Sequence, residues 1–296
     1  MVVIFLQLFY SLMIDESSYP IVHEKKLSTD NSPIIYPLQK EVQGHTSTHH
    51  KEQLKEKPAF FYNVNLRYEP QIPQANYPTN LIVSITERSS GNTIKEFEPV
   101  HDKLMHLIII SKDLSYFAHI HPTFENSNNT FTIYHNFPEA GEYKVWIDFK
   151  PKEGSQTLVT FEFKVVGSPI HNLIPLIKDR QYLKNVEGHY QISLTAPNKI
   201  GIDKEIELTF KILDQYGKPI MDLEPLMGAG GHSVIISSNI QDFLHVHPAD
   251  EVQSDWHGGP EVSFKTKFTN GGLYKVWGQF QHKRMVITVG FNLEVV

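Results

Sequence analysis

FEPVHDKLMHLIIISKDLSYFAHIHP, residues 97–122, is written a second time as LEPLMGAGGHSVIISSNIQDFLHVHP, residues 223–248. Setting Glu98-Pro99 on Glu224-Pro225 fixes an offset of 126. Without a gap, His106 then falls on His232, Ser111 on Ser237, Phe117 on Phe243, His119 on His245, His121 on His247 and Pro122 on Pro248. Glu125 falls on Glu251 and, upstream, Gly91 falls on Gly217. After a five-residue insertion the offset becomes 131, where GEYKVW (141–146) meets GLYKVW (272–277), and at the ends it is 130, where FEFKVV (161–166) meets FNLEVV (291–296). So many matches in one order make the chain a tandem duplication.

The repeats span 59–167 and 188–296, joined by a connector at 168–187 that carries a short helix or packs between the domains. Each repeat is about 107 residues, an ordinary domain size. In the first, short alternating apolar segments lie at 59–68, 79–87, 103–111, 116–121, 130–137, 141–150 and 157–166, separated by turn residues. Seven strands in that length predict an immunoglobulin-like Greek-key β-sandwich. Gly-x-Tyr at 141–143 and 272–274 stands where such folds place a tyrosine corner. The expected fold class is therefore all-β, a tandem pair of immunoglobulin-like sandwiches. A small Greek-key barrel is the alternative.

Composition narrows the function classes. The 296 residues carry 27 Lys and Arg against 33 Asp and Glu, so no basic surplus points to nucleic acid. Cysteine is absent, which excludes disulfides, thiolate metal sites and a Cys nucleophile. Residues 1–14 form an apolar run too short for a confident spanning helix and suited to an export signal, with an uncleaved anchor or an ordinary buried segment as the alternatives. Residues 15–58 read as a polar, flexible leader holding His45, His49 and His50, a tract able to capture metal loosely.

Histidine, at 16 copies, is the unusual residue. LMHLIIIS and YFAHIH read as strands of a hairpin with KDLS as its loop. If Ser111 faces Tyr116, His106 faces His121, and His119 shares their face, with Cβ atoms roughly 5 Å apart. His232, His245 and His247 repeat the trio. Three convergent imidazoles suit Cu, Zn or Ni. His101 and its counterpart Met227 are further candidate ligands, and the His/Met alternation leans towards copper, because thioether sulfur suits Cu(I). Glu125 and Glu251 could orient an imidazole, though loop solvation explains them as well. His257 lies in the insertion of the second repeat and could join its site or only shape a turn. Trp146 and Trp277 hold matched places that core packing explains.

The quoted stretches also carry a resemblance. Residues 223–248 resemble a pattern of uncharacterised bacterial secreted proteins, LEP-x-LGA-x-GH, an apolar strand, then a strand ending HVHP. Residues 97–122 resemble the MH…HxHP form of periplasmic proteins found near metal-efflux systems. The G-x-Y strand that follows is similar to exported immunoglobulin-like domains of the YtkA type and, distantly, to CopC-like copper carriers. The resemblance covers both repeats and implies an exported, periplasmic or secreted protein for copper or another heavy metal. Envelope efflux components are the implied partners. His232, His245 and His247 match GH…HVHP, and His106, His119 and His121 match MH…HxHP. HDKLMH in one repeat and MGAGGH in the other imply sites that need not share a metal.

The reading is a metal-binding protein with one His-trio site per repeat, for buffering, delivery or resistance. A metal-free immunoglobulin-like interaction module is the alternative from another class. A metalloenzyme is a third, since H-x-H-x3-E resembles half of a cupin motif. The second half of that motif is not evident, and no phosphate loop, nucleophile elbow or acid–base pair stands out.

Overall fold

The computed structural model describes residues 34–35, 61–100, 102–168, 175–186, 189–246, 248 and 252–296. The expected export segment, most of the leader, His101, His247 and Glu251 lie outside the described residues. Among the described residues every regular element is a strand. In the first repeat these are β2 (Tyr62–Glu69), β3 (Pro78–Glu87), β4 (Phe97–Glu98), β5 (Met105–Ser111), β6 (Phe117–Ile120), β7 (Thr123–Glu125), β8 (Thr130–Asn136), β9 (Gly141–Pro151) and β10 (Thr157–Val165). One sheet runs β2-β3-β8-β7, and the other runs β10-β9-β5-β6. Lettered along the chain, this is the ABED sheet facing a CFG sheet extended by one edge strand, the immunoglobulin arrangement. The short β1 (Ile34–Ile35), which falls within the leader, pairs antiparallel with β10.

The second repeat contains β11 (Leu183–Val186), β12 (Tyr190–Thr195), β13 (Glu205–Asp214), β14 (His232–Ser237), β15 (Phe243–Val246), β16 (Glu261–Lys267), β17 (Gly272–His282) and β18 (Met285–Val295). Its sheets run β11-β12-β13-β16 and β15-β14-β17-β18. The connector carries a strand, β11, where a short helix was one expectation. Asp179 in the connector donates its N–H to Asn292 O, lining the β18 edge much as β1 lines β10.

Alternation decides what each strand buries. Along β5, Met105, Leu107 and Ile109 enter the core between the sheets of the first repeat. The same core holds Tyr143, whose hydroxyl donates to Glu139 O at 2.9 Å, while Tyr274 reaches Asn270 O at 2.9 Å. These are the two expected tyrosine corners. Ile108 and Ile110 point to the other face of β5, yet are fully buried. They belong to a third apolar cluster with Val234, Ile236, Trp146 and Trp277, drawn from both repeats. The two CFG sheets thus cover one another's outer faces. A strand buried on both faces reads as a continuous apolar run, as LIII does.

This interface is reciprocal. Phe117 stacks on Trp277 at 4.8 Å, and Phe243 stacks on Trp146 at 4.9 Å. Lys275 Nζ donates to Leu114 O at 2.6 Å, and Lys144 Nζ donates to Ile240 O at 3.0 Å. Leu114 and Ile240 occupy hairpin loops at φ 61° and 54°, a region disfavoured for side chains of their kind. Burial of both in the shared cluster and capture of both carbonyls by lysine compensate for the strain. The tryptophans are core residues, as expected, but of the apolar cluster shared by the repeats rather than of either sandwich.

Candidate metal centre

The β5–β6 hairpin has the register expected from the sequence: Ile108 opposes His119, and Leu107 opposes Ile120. His106 precedes Leu107 and His121 follows Ile120, so the three imidazoles share the outer face, at the edge of the apolar cluster. His106 Nδ1 lies 2.9 Å from His119 Nε2 and 3.2 Å from His121 Nε2, and the latter two nitrogens are 3.3 Å apart. Together they are a group able to hold a metal ion.

Two of the three tautomers follow from geometry. His106 Nε2 sits 2.7 Å from Val100 O, an atom that only accepts, so Nε2 carries the proton and Nδ1 presents a lone pair. His119 Nδ1 sits 3.0 Å from Gln279 Oε1, so it donates there and Nε2 presents its lone pair. Gln279 Nε2 in turn donates to Thr288 Oγ1 at 3.1 Å. Facing lone pairs at 2.9 Å repel unless a cation lies between them. Four-coordinate Zn–N bonds of about 2.0–2.1 Å put neighbouring ligand nitrogens about 3.3 Å apart, and right-angled geometry about 2.9 Å. The observed separations span that range.

Burial keeps the ligands neutral. Desolvation lowers His106, with the Val100 bond opposing it. Desolvation, then His121, His106 and His232, holds His119 well below the ordinary range. His121 is pushed down to about 3 by burial, then by His106, Lys103 and His232. Neutral imidazole is the form that binds metal.

Of the trio expected in the second repeat, His232 and His245 are among the described residues. His232 Nε2 donates to Leu226 O at 2.9 Å, as His106 does to Val100 O. His245 opposes Val234 in the register of His119 and Ile108. The His245 ring lies 5.2 Å from His119 and 5.8 Å from His106, and His232 lies 5.8 Å from His119. The described imidazoles of the two repeats therefore lie side by side at the interface, 5.2–5.8 Å apart ring to ring.

Other candidates fall elsewhere. Met227 is half-buried at φ 50° in the turn whose Leu226 carbonyl holds His232. A Cβ on the next residue, Gly228, would come 2.7 Å from Asp102 Oδ2, so the turns of the two repeats abut. Glu125 is exposed on β7, in the opposite sheet, so it does not orient the cluster. Pro122 ends β6, and the chain then crosses to that sheet. His257 is exposed and does not join the trio. Gln279 is the residue that sequence reasoning passed over. Its counterpart at the offset of 131 is Asp148, so identity between the repeats did not mark it.

The family described as "Domain of unknown function (DUF8832)" matches residues 60–167 and again 184–296, and the chain belongs to it. No curated protein matches. Among solved structures, the Escherichia coli adhesin FdeC is 14% identical with a TM-score of 0.26, over 77% of this chain and 63% of that one. Salmonella alpha-2-macroglobulin reacted with methylamine is 12% identical with a TM-score of 0.27, over 82% of this chain and 15% of that one. The chicken CNTN1 FN1–FN3 domains are 9% identical with a TM-score of 0.21, over 78% and 65%. Such scores carry no argument about function, and the fold assignment rests on the strand order.

Proposed function

We propose that this member of the family is an exported metal-binding protein that holds copper, or another heavy metal such as zinc or nickel, for buffering, delivery or resistance in the cell envelope. The observation that carries the reading is the meeting of His106 Nδ1, His119 Nε2 and His121 Nε2 at 2.9–3.3 Å, with the outer nitrogens of the first two bound to Val100 and Gln279. Imidazole is a borderline ligand that suits copper, zinc and nickel alike. Export rests on the apolar segment 1–14, and efflux components of the envelope are the partners that fit. A three-nitrogen site with an open position favours exchange over permanent storage.

The test is to titrate metal-free protein with Cu(I), Cu(II) and Zn(II) separately and to measure bound ions after dialysis. Stoichiometric uptake, reduced on replacing His119 and His121 together with Ala, is expected. Failure to take up any of the three, or uptake unchanged in the double variant, would refute the reading.

A further inference from the structure

The trio accounts for only part of the imidazole at the interface. His232 is fully buried on β14, and its donation to Leu226 O leaves Nδ1 as its lone-pair nitrogen. His245 lies 5.7 Å from it, centroid to centroid. Separations across the repeats, 5.2–5.8 Å, hardly exceed the 4.7–5.2 Å within the trio. Yet among the described residues the group of mutually close nitrogens is His106, His119 and His121. The imidazoles of the second repeat stand beside that group rather than inside it.

We infer that the cluster is one two-ion centre, with a first ion on His106, His119 and His121 and a second, neighbouring ion on His232 and His245. The inference rests on the metal-binding reading and changes its form: two coupled ions between the repeats, not an independent ion in each. Solvent or a shared small anion completes both coordination shells. Position 279 shows why the ions differ. Gln279 of the second repeat orients a ligand of the first ion. Its counterpart, Asp148, is 5% exposed, opposes His106 on β9, and shares the interface-facing side of that strand with Trp146. Gln156 Nε2 donates to both its oxygens, at 2.8 and 3.0 Å. The centre therefore contains a buried carboxylate where strict symmetry would place a second amide. That negative charge offsets the repulsion between neighbouring cations and makes the pair unequal.

The probe is Cu(II), added to the full chain to saturation, with copper counted by elemental analysis and unpaired spins by electron paramagnetic resonance. Two ions per chain with a half-field transition, dipolar broadening or a spin count below the copper count is the expected result. Two ions with full, unbroadened, isolated spectra would overturn the two-ion centre, and so would saturation at one ion. Neither of those outcomes touches the metal-binding reading, whereas no uptake at all would remove both. Replacing His232 and His245 together with Ala should leave one ion and an isolated spectrum. The wild-type spectra decide the question even where that variant fails to fold.

Discussion

Gln279→Leu isolates a single contact. Gln279 is 7% exposed, comes from the second repeat, and touches no metal position itself; its Oε1 accepts from His119 Nδ1 at 3.0 Å. Leu keeps most of the volume and removes the acceptor. The buried Nδ1–H then has no amide oxygen, and the imidazole gains by moving its proton to Nε2, the nitrogen that should face the ion. Loss of such an outer partner typically costs 10–100-fold in metal affinity. That corresponds to about 1.4–2.7 kcal/mol. Gln279→Glu should act in the opposite direction, because a carboxylate accepts the same proton more strongly and raises ligand basicity. The assay is competition for Zn(II) against a chromophoric chelator, with imidazole 15N shifts reporting the His119 tautomer. A Gln279→Leu protein that folds, melts like wild type and binds Zn(II) within twofold would refute the reasoning. So would an unchanged tautomer.

Other perturbations follow from separate contacts. Zn(II) at a hundred times its dissociation constant should stabilise the chain by about 2.7 kcal/mol, read as a rise in urea midpoint that chelation reverses. Tyr274→Phe should cost about 1–3 kcal/mol in urea unfolding, and more than Tyr143→Phe, because its single O–H is shared between Asn270 O and the Asp242 carboxylate at 2.7 Å, and bonds to charged groups are the stronger ones. Burial lowers His135 to about 4, with the Tyr116 hydroxyl 3.1 Å from its Nε2. Below the ordinary histidine value near 6.5 the unfolded chain therefore takes up a proton that the folded chain refuses. The contribution of His135 is complete above that value and is lost as the pH falls towards 4. His135→Gln should shrink the loss of stability between pH 7 and pH 5, measured by urea midpoints at both.

Local pattern carried much of the structure. Alternation placed the strands, and the serine at the end of LMHLIIIS fixed a hairpin register that the structure shares. What local pattern hides is the second burial of β5 and β14. A run such as LIII fits a strand covered on both sides, but it does not say what covers it. Here the cover is the other repeat, so imidazoles assigned to separate domains meet. Glu125 illustrates the converse. Four residues from His121 is a short distance in sequence, but a proline and a change of sheet intervene. Gln279 was invisible for a different reason: a partner that acts across the interface carries no spacing signal relative to His119.

The reciprocity of the interface is itself open to measurement. In a two-fold contact, a patch meets its own copy, so each contact appears twice with the partners exchanged. Phe117 on Trp277 and Phe243 on Trp146 are such a pair, with ring planes 17° and 16° apart. Each stack is expected to contribute about 0.5–1.5 kcal/mol beyond the area it buries. Double-mutant cycles with Phe→Leu and Trp→Leu, read by urea unfolding, should return coupling energies in that range for both pairs. Phe117 with Trp146, which share a sheet and a repeat but do not stack on each other, should return a value near zero by comparison. If instead that intra-repeat pair were strongly coupled and the crossed pairs were not, the repeats would not be docked through these faces. The imidazoles of the two halves would then have no common centre to occupy.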